Sequence, residues 1–247
     1  MLGYRVGGVE HHFMQLLGLV LFSVIAMFWI VQALRIARGA LRLPHLQDQA
    51  PCAVADCPNV SMIFAARDEA EKLPRALATM ARLDYPSLEI IAVNDRSTDD
   101  TPTILDKEMA RNSRLQIVTV ETLPKSWLGK PHALQAGYEV SEGEWLLFTD
   151  ADVCFKPDSL RKALAMAQSS NLDHLTLMGD VEMHGFWEKT VLTFFALGFY
   201  IGTNPAAVSD PKSRAYLGVG AFQLVKRHAY QTSGTHRRLA MEVVDDL

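Results

Sequence analysis

Residues 145–152 read WLLFTDAD, an apolar run that ends abruptly in two acids one residue apart. A short apolar run of this kind suits a strand buried on both faces, with the acids at its carboxyl end. The pattern recurs outward from it. Upstream lie VSMIFAA (60–66), LEIIAV (88–93) and LQIVTV (115–120). Between these runs, Leu73, Leu77, Met80 and Ala81 recur at helical spacing, Thr101-Pro102 opens a second helix with proline in its first turn, and residues 131–141 read as a third. Downstream, 158–168 predicts another helix and 174–183 an extended segment. Strands alternating with helices predict an α/β fold, a mostly parallel sheet covered on both faces, Rossmann-like because crossovers are right-handed. Ligands of such sheets bind beyond the carboxyl ends of the strands.

Those ends are acidic as a set. Arg67-Asp68-Glu69 follows the first strand, Asn94-Asp95-Arg96-Ser97-Thr98-Asp99-Asp100 the second, and Asp150-Ala151-Asp152 the fourth. Acids gathered at one edge repel one another, and a divalent cation relieves that repulsion. Oxygen ligands suit Mg2+ or Mn2+. Asp150 and Asp152, two apart on extended chain, point to the same side, so they can share a cation that also bridges two phosphate oxygens. A lone D-x-D can instead cap a turn; its place after a buried strand, beside other strand-end acids, favours the metal reading. Asp95 stands where acids bind nucleosides, although its surroundings are also rich in turn formers. Asp99 or Asp100 reads as the N-cap of the next helix. Gly129-Lys130 precedes a helix, so the lysine and the helix N-terminus can meet a phosphate; the plain alternative is a solvated lysine.

The N-terminal part differs in kind. Residues 13–34, FMQLLGLVLFSVIAMFWIVQAL, carry no charge over 22 residues, enough helix to cross about 30 Å of hydrocarbon. Arg35, Arg38 and Arg42 follow, whereas the preceding flank has only Arg5 and Glu10. The positive-inside rule then places residues from 35 onward in the cytoplasm, and the expectation is a single-pass anchor in the cell (inner) membrane. A cleaved signal peptide is the alternative, but that wants a shorter apolar core and a basic start. Residues 43–58 read as a polar, proline-containing linker. The predicted organisation is thus an anchor (1–42), a linker (43–58) and one domain (59–247). A second apolar run, VLTFFALGFYIG (191–202), is too short to span a bilayer as a straight helix. After Phe186-Trp187-Glu188-Lys189 it predicts either an interfacial helix or a buried core helix.

Bulk composition excludes several classes. With 247 residues, 49% of them hydrophobic and 21% charged, the chain is neither disordered nor fibrous. Its net charge of −4 lacks the footprint of a nucleic-acid binder. Residues 1–42 carry a formal +3, which leaves −7 for the rest, an acidic body behind a basic anchor. Three cysteines, Cys52, Cys57 and Cys154, make no disulfide framework and no paired zinc spacing.

Taken in order, AARDEA (65–70), VNDRSTDDT (93–101), LPKSWLGKPHALQAG (123–137), LLFTDAD (146–152), VGAFQLVKRHAY (219–230) and VVDDL (243–247) resemble the large inverting glycosyltransferase family 2, which has the GT-A fold. The W-L-G-K stretch is similar to members that glycosylate lipids or carotenoid- and hopanoid-like acceptors. The resemblance implies roles. Ala66, Arg67 and Glu69 would line the nucleotide pocket, and Asp95 would contact the uracil or equivalent base. Lys130 would approach the donor phosphates, Asp150 the donor ribose or sugar, and Asp152 the metal. Gly220, Ala221 and Phe222 would lie under the acceptor. Asp246 would match the catalytic base, with Asp245 in place of the usual glutamate before it. Asp68 stands where members often carry asparagine. Members of this membrane type continue with an acceptor-side helix, often bearing Gln-x-x-Arg-Trp, and further membrane helices, so the resemblance implies a sequence truncated at its C-terminus.

The function expected is a membrane-bound inverting transfer of a sugar from a nucleotide-diphosphate sugar, UDP-linked by the resemblance, to a lipid or other hydroxyl acceptor at the cytoplasmic face. A processive polysaccharide synthase would share that chemistry. A phosphohydrolase that uses the first acid of D-x-D as nucleophile would carry the motif on its first strand, whereas here it follows the fourth. A non-catalytic nucleotide-sugar binder is the remaining alternative.

Overall fold

The computed structural model describes residues 6–208, 210 and 212–242. They form two compact units, one of the chain up to residue 43 with 183–216, the other of 44–182 with the residues from 217 on.

The second unit contains β1 (Val60–Ala66), α2 (Leu73–Met80), β2 (Leu88–Asp95), α3 (Thr101–Met109), β3 (Leu115–Val120), α4 (Gly129–Val140), β4 (Trp145–Asp150), α5 (Ser159–Ser169), β5 (His174–Thr176), β6 (Gln223–Lys226) and α7 (Arg227–Ser233). The strands make one sheet in the order β3-β2-β1-β4-β6-β5. β1 to β4 are parallel, β6 runs antiparallel to β4, and β5 antiparallel to β6.

Burial on both faces explains the continuous apolar runs. Along β1, Val60, Met62, Phe64 and Ala66 face one core, shared with Leu73 and Leu77 of α2, Leu105 of α3 and Leu160 and Leu164 of α5. Ile63 faces the other, shared with Ala133 and Leu134 of α4 and Tyr230 of α7. α4 lies close on that face: a Cβ at Gly137 would fall 2.6 Å from Ile63 Cγ2 and 2.9 Å from Val93 Cγ2. The register brings the carboxyl ends level, with Ala66 opposite Asn94 and Ala65 opposite Asp150.

Two expectations change here. The extended segment predicted over 174–183 is a strand only to Thr176, because β5 pairs with the four-residue β6 alone. The linker is no free tether: residues 44–58 belong to this unit. The Cys52 N–H donates to Arg161 O (3.2 Å), and the Arg161 guanidinium donates back to Cys52 O (2.9 Å from Nε). Cys52 and Cys57 are free thiols with their sulfurs 2.8 Å apart.

The first unit pairs α1 (Val6–Ala40) with α6 (Phe186–Thr203). α1 exceeds the predicted span at both ends, and by length and composition it could cross a membrane. A Cβ at Gly39 would lie 2.1 Å from Tyr200 Oη, so glycine is what admits the α6 tyrosine against α1. α6 begins five residues before the predicted apolar run and has no buried residue. Among the described residues nothing covers Phe186, Trp187, Phe194 or Phe195 of α6, all of which are exposed.

Candidate active site

At the carboxyl edge of the sheet, the loops after β1 and β2 are laced together. Asp68 sits in a left-handed conformation at φ 55°, and Arg96 at φ 58°. From there the Asp68 Oδ1 accepts from Thr98 N (2.7 Å), Thr98 Oγ1 (3.2 Å) and Asp99 N (3.3 Å). Across the same gap, the Asp68 N–H donates to Ser97 Oγ, Glu69 N–H to Thr101 Oγ1 and Ala70 N–H to Asp99 Oδ2. Asp99 Oδ1 also accepts from Thr101 N at 2.9 Å, whereas Asp100, at the N-cap position of α3, makes no side-chain cap bond. Of the two acids predicted as caps, Asp99 does the work. The Thr101 side chain, with backbone N–H groups of Thr101 and Ala70, holds the Asp99 carboxyl below its ordinary range against an opposing effect of burial.

Asp95 ends β2 almost fully buried, at 3% exposure. Arg96 grips it at both oxygens, Nε to Oδ1 at 2.8 Å and Nη2 to Oδ2 at 2.9 Å. The forked guanidinium fixes the carboxylate plane and offsets the cost of the left-handed backbone at a non-glycine residue, on the order of 1–3 kcal/mol. Beneath this pair is the start of α4. A Cβ at Gly129 would stand 2.8 Å from Asp95 Oδ2 and 3.0 Å from Arg96 Nη2. Glycine there permits the close approach, and it brings Lys130 to the site.

The end of β4 is arranged differently. Asp150 Oδ1 lies 2.9 Å from Lys130 Nζ, and Asp152 Oδ2 lies 3.0 Å from Lys72 Nζ. Both aspartates are partly exposed, at 38% and 41% of their side chains. Such pairs contribute little to stability, about 0–1 kcal/mol each, so a competing ligand can displace the lysines cheaply. The Glu69 carboxyl is held above its usual range, by burial first and then by the charge of Asp152, with Asp150 and Asp99 adding and Lys72 opposing. Asp95 and Asp150 end strands with only β1 between them, a backbone separation of roughly 10 Å, the scale of a nucleoside diphosphate.

Other predicted residues fall as follows. Ala66 is fully buried, and Arg67 is exposed. Gly220 borders a small crevice with Lys130, Phe148, Thr149, Gln223 and His236, and Ala221 O accepts from Thr149 Oγ1 at 2.7 Å. Phe222 is buried, its ring 6.1 Å from that of Phe155, so its side chain belongs to the core. His236 is 1% exposed and bonded to Tyr230 Oη at 2.5 Å, with Phe148 against both rings. Asp245 and Asp246 lie outside the described residues. Lys72 and Arg96 were missed in the sequence. Arg96 could have been found, since a left-handed turn directly after a buried acid favours a partner for it; Lys72 meets Asp152 across 80 residues and leaves no local signal.

Among the described residues no group of three or more His, Cys, Asp or Glu forms a ready-made cage. Mg2+ and Mn2+ do not need one, since they bind through one or two carboxylates with phosphate oxygens completing the shell. Asp150 and Asp152 supply the right oxygen donors, partly exposed and, among the described residues, paired with lysine ammonium groups.

The glycosyl transferase family 2 model matches residues 61–233, from β1 to the end of α7. The chain is 23% identical over 189 residues to a 4,4'-diaponeurosporenoate glycosyltransferase of Staphylococcus haemolyticus, covering 76% of this chain and 49% of that protein. It is 28% identical over 188 residues to a beta-monoglucosyldiacylglycerol synthase of Synechocystis, covering 70% of this chain and 38% of that one. The chain thus spans less than half the length of these curated relatives. Among solved structures, the fold matches a mannosyltransferase of Pyrobaculum calidifontis in complex with GDP-Man and Mn2+, at TM-score 0.63 and 22% identity over 87% of this chain and 57% of that one. With the matched region running through every strand of the sheet and the GT-A architecture in place, the chain belongs to glycosyl transferase family 2.

Proposed function

We propose that the chain is the donor-binding part of a membrane-anchored inverting glycosyltransferase that moves a sugar from a nucleotide-diphosphate sugar, UDP-linked, to a lipid hydroxyl at the cytoplasmic face. The observation that carries this is the pairing of Asp150 and Asp152 with Lys130 and Lys72 beside the buried, clamped Asp95. Asp95 receives the base, with Ala66, Arg67 and Glu69 around the nucleoside. Lys130 turns to the diphosphate, and Asp150 to the ribose or sugar. Asp152 holds Mg2+ or Mn2+, which when bound supplies Lewis-acid stabilisation of the diphosphate. Gly220 and Ala221 flank the acceptor side.

Asp246, preceded by Asp245, takes the proton from the acceptor hydroxyl as its oxygen attacks the anomeric carbon. Attack opposite the leaving group inverts configuration. Asp246→Asn is expected to lower transfer by about 100- to 10,000-fold while leaving donor affinity in place; undiminished transfer would remove Asp246 from the role of base. The lipid acceptor is supported by α1, by the arginines after it, and by the two relatives whose names carry a carotenoid acid and a diacylglycerol. A polysaccharide synthase remains the second reading, supported by similarity to poly-beta-1,6-N-acetyl-D-glucosamine synthase of Staphylococcus epidermidis, 31% identical over 100 residues.

The test is calorimetric titration of the chain in lipid nanodiscs with UDP and with GDP, each with and without Mn2+. Metal-dependent binding of UDP in preference to GDP is expected. A folded chain that binds neither would overturn the donor-site reading.

A further inference from the structure

On the side of α4 turned away from the sheet is a second cleft, of about 570 Å3, bordered by Ser126, Trp127, His132, Gln135, Glu139 and Arg237. It falls within the size range of small-molecule sites, and none of the six residues has a role in the donor site. The cleft is built. Leu128 N–H donates to Ala240 O at 2.6 Å, which ties the loop before α4 to the segment after α7. Glu139 Oε1 accepts from Arg237 Nη2 at 2.9 Å and from Gln135 Nε2 at 3.0 Å. The Trp127 and His132 rings meet edge to face at 5.5 Å and 74°. Among the described residues, two buried polar atoms of these side chains have no hydrogen-bond partner: Gln135 Oε1, on a residue 4% exposed, and His132 Nδ1. Such atoms cost on the order of 1–3 kcal/mol each when left without a partner, a cost that a hydrogen-bonding ligand can recover after small side-chain rotations.

The chemistry of the wall selects among ligands. A phosphate would meet the Glu139 carboxylate, which the Arg237 and Gln135 hydrogen bonds keep ionised. An apolar ligand would bury the polar atoms of all six side chains. A sugar ring has what the wall lacks: an apolar C–H face to set on the indole, and vicinal hydroxyls that both donate and accept. Planar carboxylate and guanidinium groups bind such hydroxyl pairs through two parallel hydrogen bonds.

We propose that this cleft is a saccharide-binding subsite for an uncharged hexose unit, separate from the donor site at the sheet edge. Gln135 follows Gly129 by six residues, roughly 9 Å along the helix. The subsite therefore lies one to two turns from the start of α4, suited to a sugar unit of a glycan held while the donor site is occupied.

The test is saturation-transfer NMR on the whole chain in lipid nanodiscs, because maltoside detergents would themselves compete. The probes are the methyl glycosides of glucose, galactose, mannose and N-acetylglucosamine. At least one is expected to show transfer, unaffected by saturating UDP and Mn2+, and to lose it at least tenfold in Trp127→Ala and in the isosteric Glu139→Gln. The calorimetric affinity for UDP should change less than twofold in both variants. Absence of transfer with all four glycosides, transfer that persists in folded Glu139→Gln, or displacement of the glycoside by millimolar inorganic phosphate would each overturn the proposal. A chain that contacts a glycoside but not UDP would defeat the donor-site reading and leave this one standing.

Discussion

Asp68 and Asp99 belong to the same sheet edge as Asp150 and Asp152, yet the two pairs live differently. Asp68 and Asp99 direct their oxygens at backbone N–H groups and hydroxyls of neighbouring loops. Asp150 and Asp152 meet only lysine ammonium groups among the described contacts, on a partly exposed surface. A carboxylate that accepts from the backbone of neighbouring loops is part of the fold, and removing it releases the loops it ties together. A carboxylate balanced by a mobile cation is part of a site, because a ligand can take the place of the lysine. An acidic sheet edge is therefore not one feature: what satisfies each acid decides its role.

Substitutions can break that comparison or sharpen it. The largest effect is expected at Asp152. Asp152→Asn should weaken Mn2+-dependent UDP binding on the order of 100-fold, ~2.7 kcal/mol, with the melting temperature unmoved, as read by calorimetry and thermal denaturation. Asp68→Ala should do the reverse. Losing three hydrogen bonds at one oxygen should lower stability, visible in urea denaturation, while the metal requirement of any remaining binding persists. Asp68→Asn should be milder, since an amide oxygen still accepts.

Gly129→Ala tests the joint between the two kinds of acid. Its methyl group would press on Asp95 and Arg96, and nucleoside affinity should fall about tenfold, ~1.4 kcal/mol, with little loss of stability. The smallest effect concerns acid. Asp99 has a folded pKa below its unfolded one. Its stabilising contribution is therefore complete above the ordinary carboxylate range near ~3.9 and is lost as pH falls through the lower folded value. Asp99→Asn should flatten the acid limb of a stability–pH curve below about pH 4; an unaltered limb would remove Asp99 from the structural pair.

β1, β2 and β4 were legible because each is a largely apolar run, as burial on both faces demands, whereas the edge strand β3 leaves Gln116 and Thr119 exposed. Four-residue β6 was not, since its QLVK is set by pairing with β4 and not by any pattern of its own. The site was legible as far as residues adjacent to strand ends: Asp95, Asp150 and Asp152. What the sequence could not separate was structural from displaceable acids. The partners of Asp68 lie some 30 residues away and that of Asp152 lies 80 away.

The most direct test of the division is UDP affinity measured as a function of Mn2+ concentration in wild type, Asp152→Asn and Asp68→Asn, with a melting curve for each. The account predicts that Asp152→Asn loses the Mn2+ dependence at wild-type stability, whereas Asp68→Asn keeps it and melts lower. Mn2+-dependent binding of wild-type strength in Asp152→Asn, or its loss in a fully stable Asp68→Asn, would contradict the account.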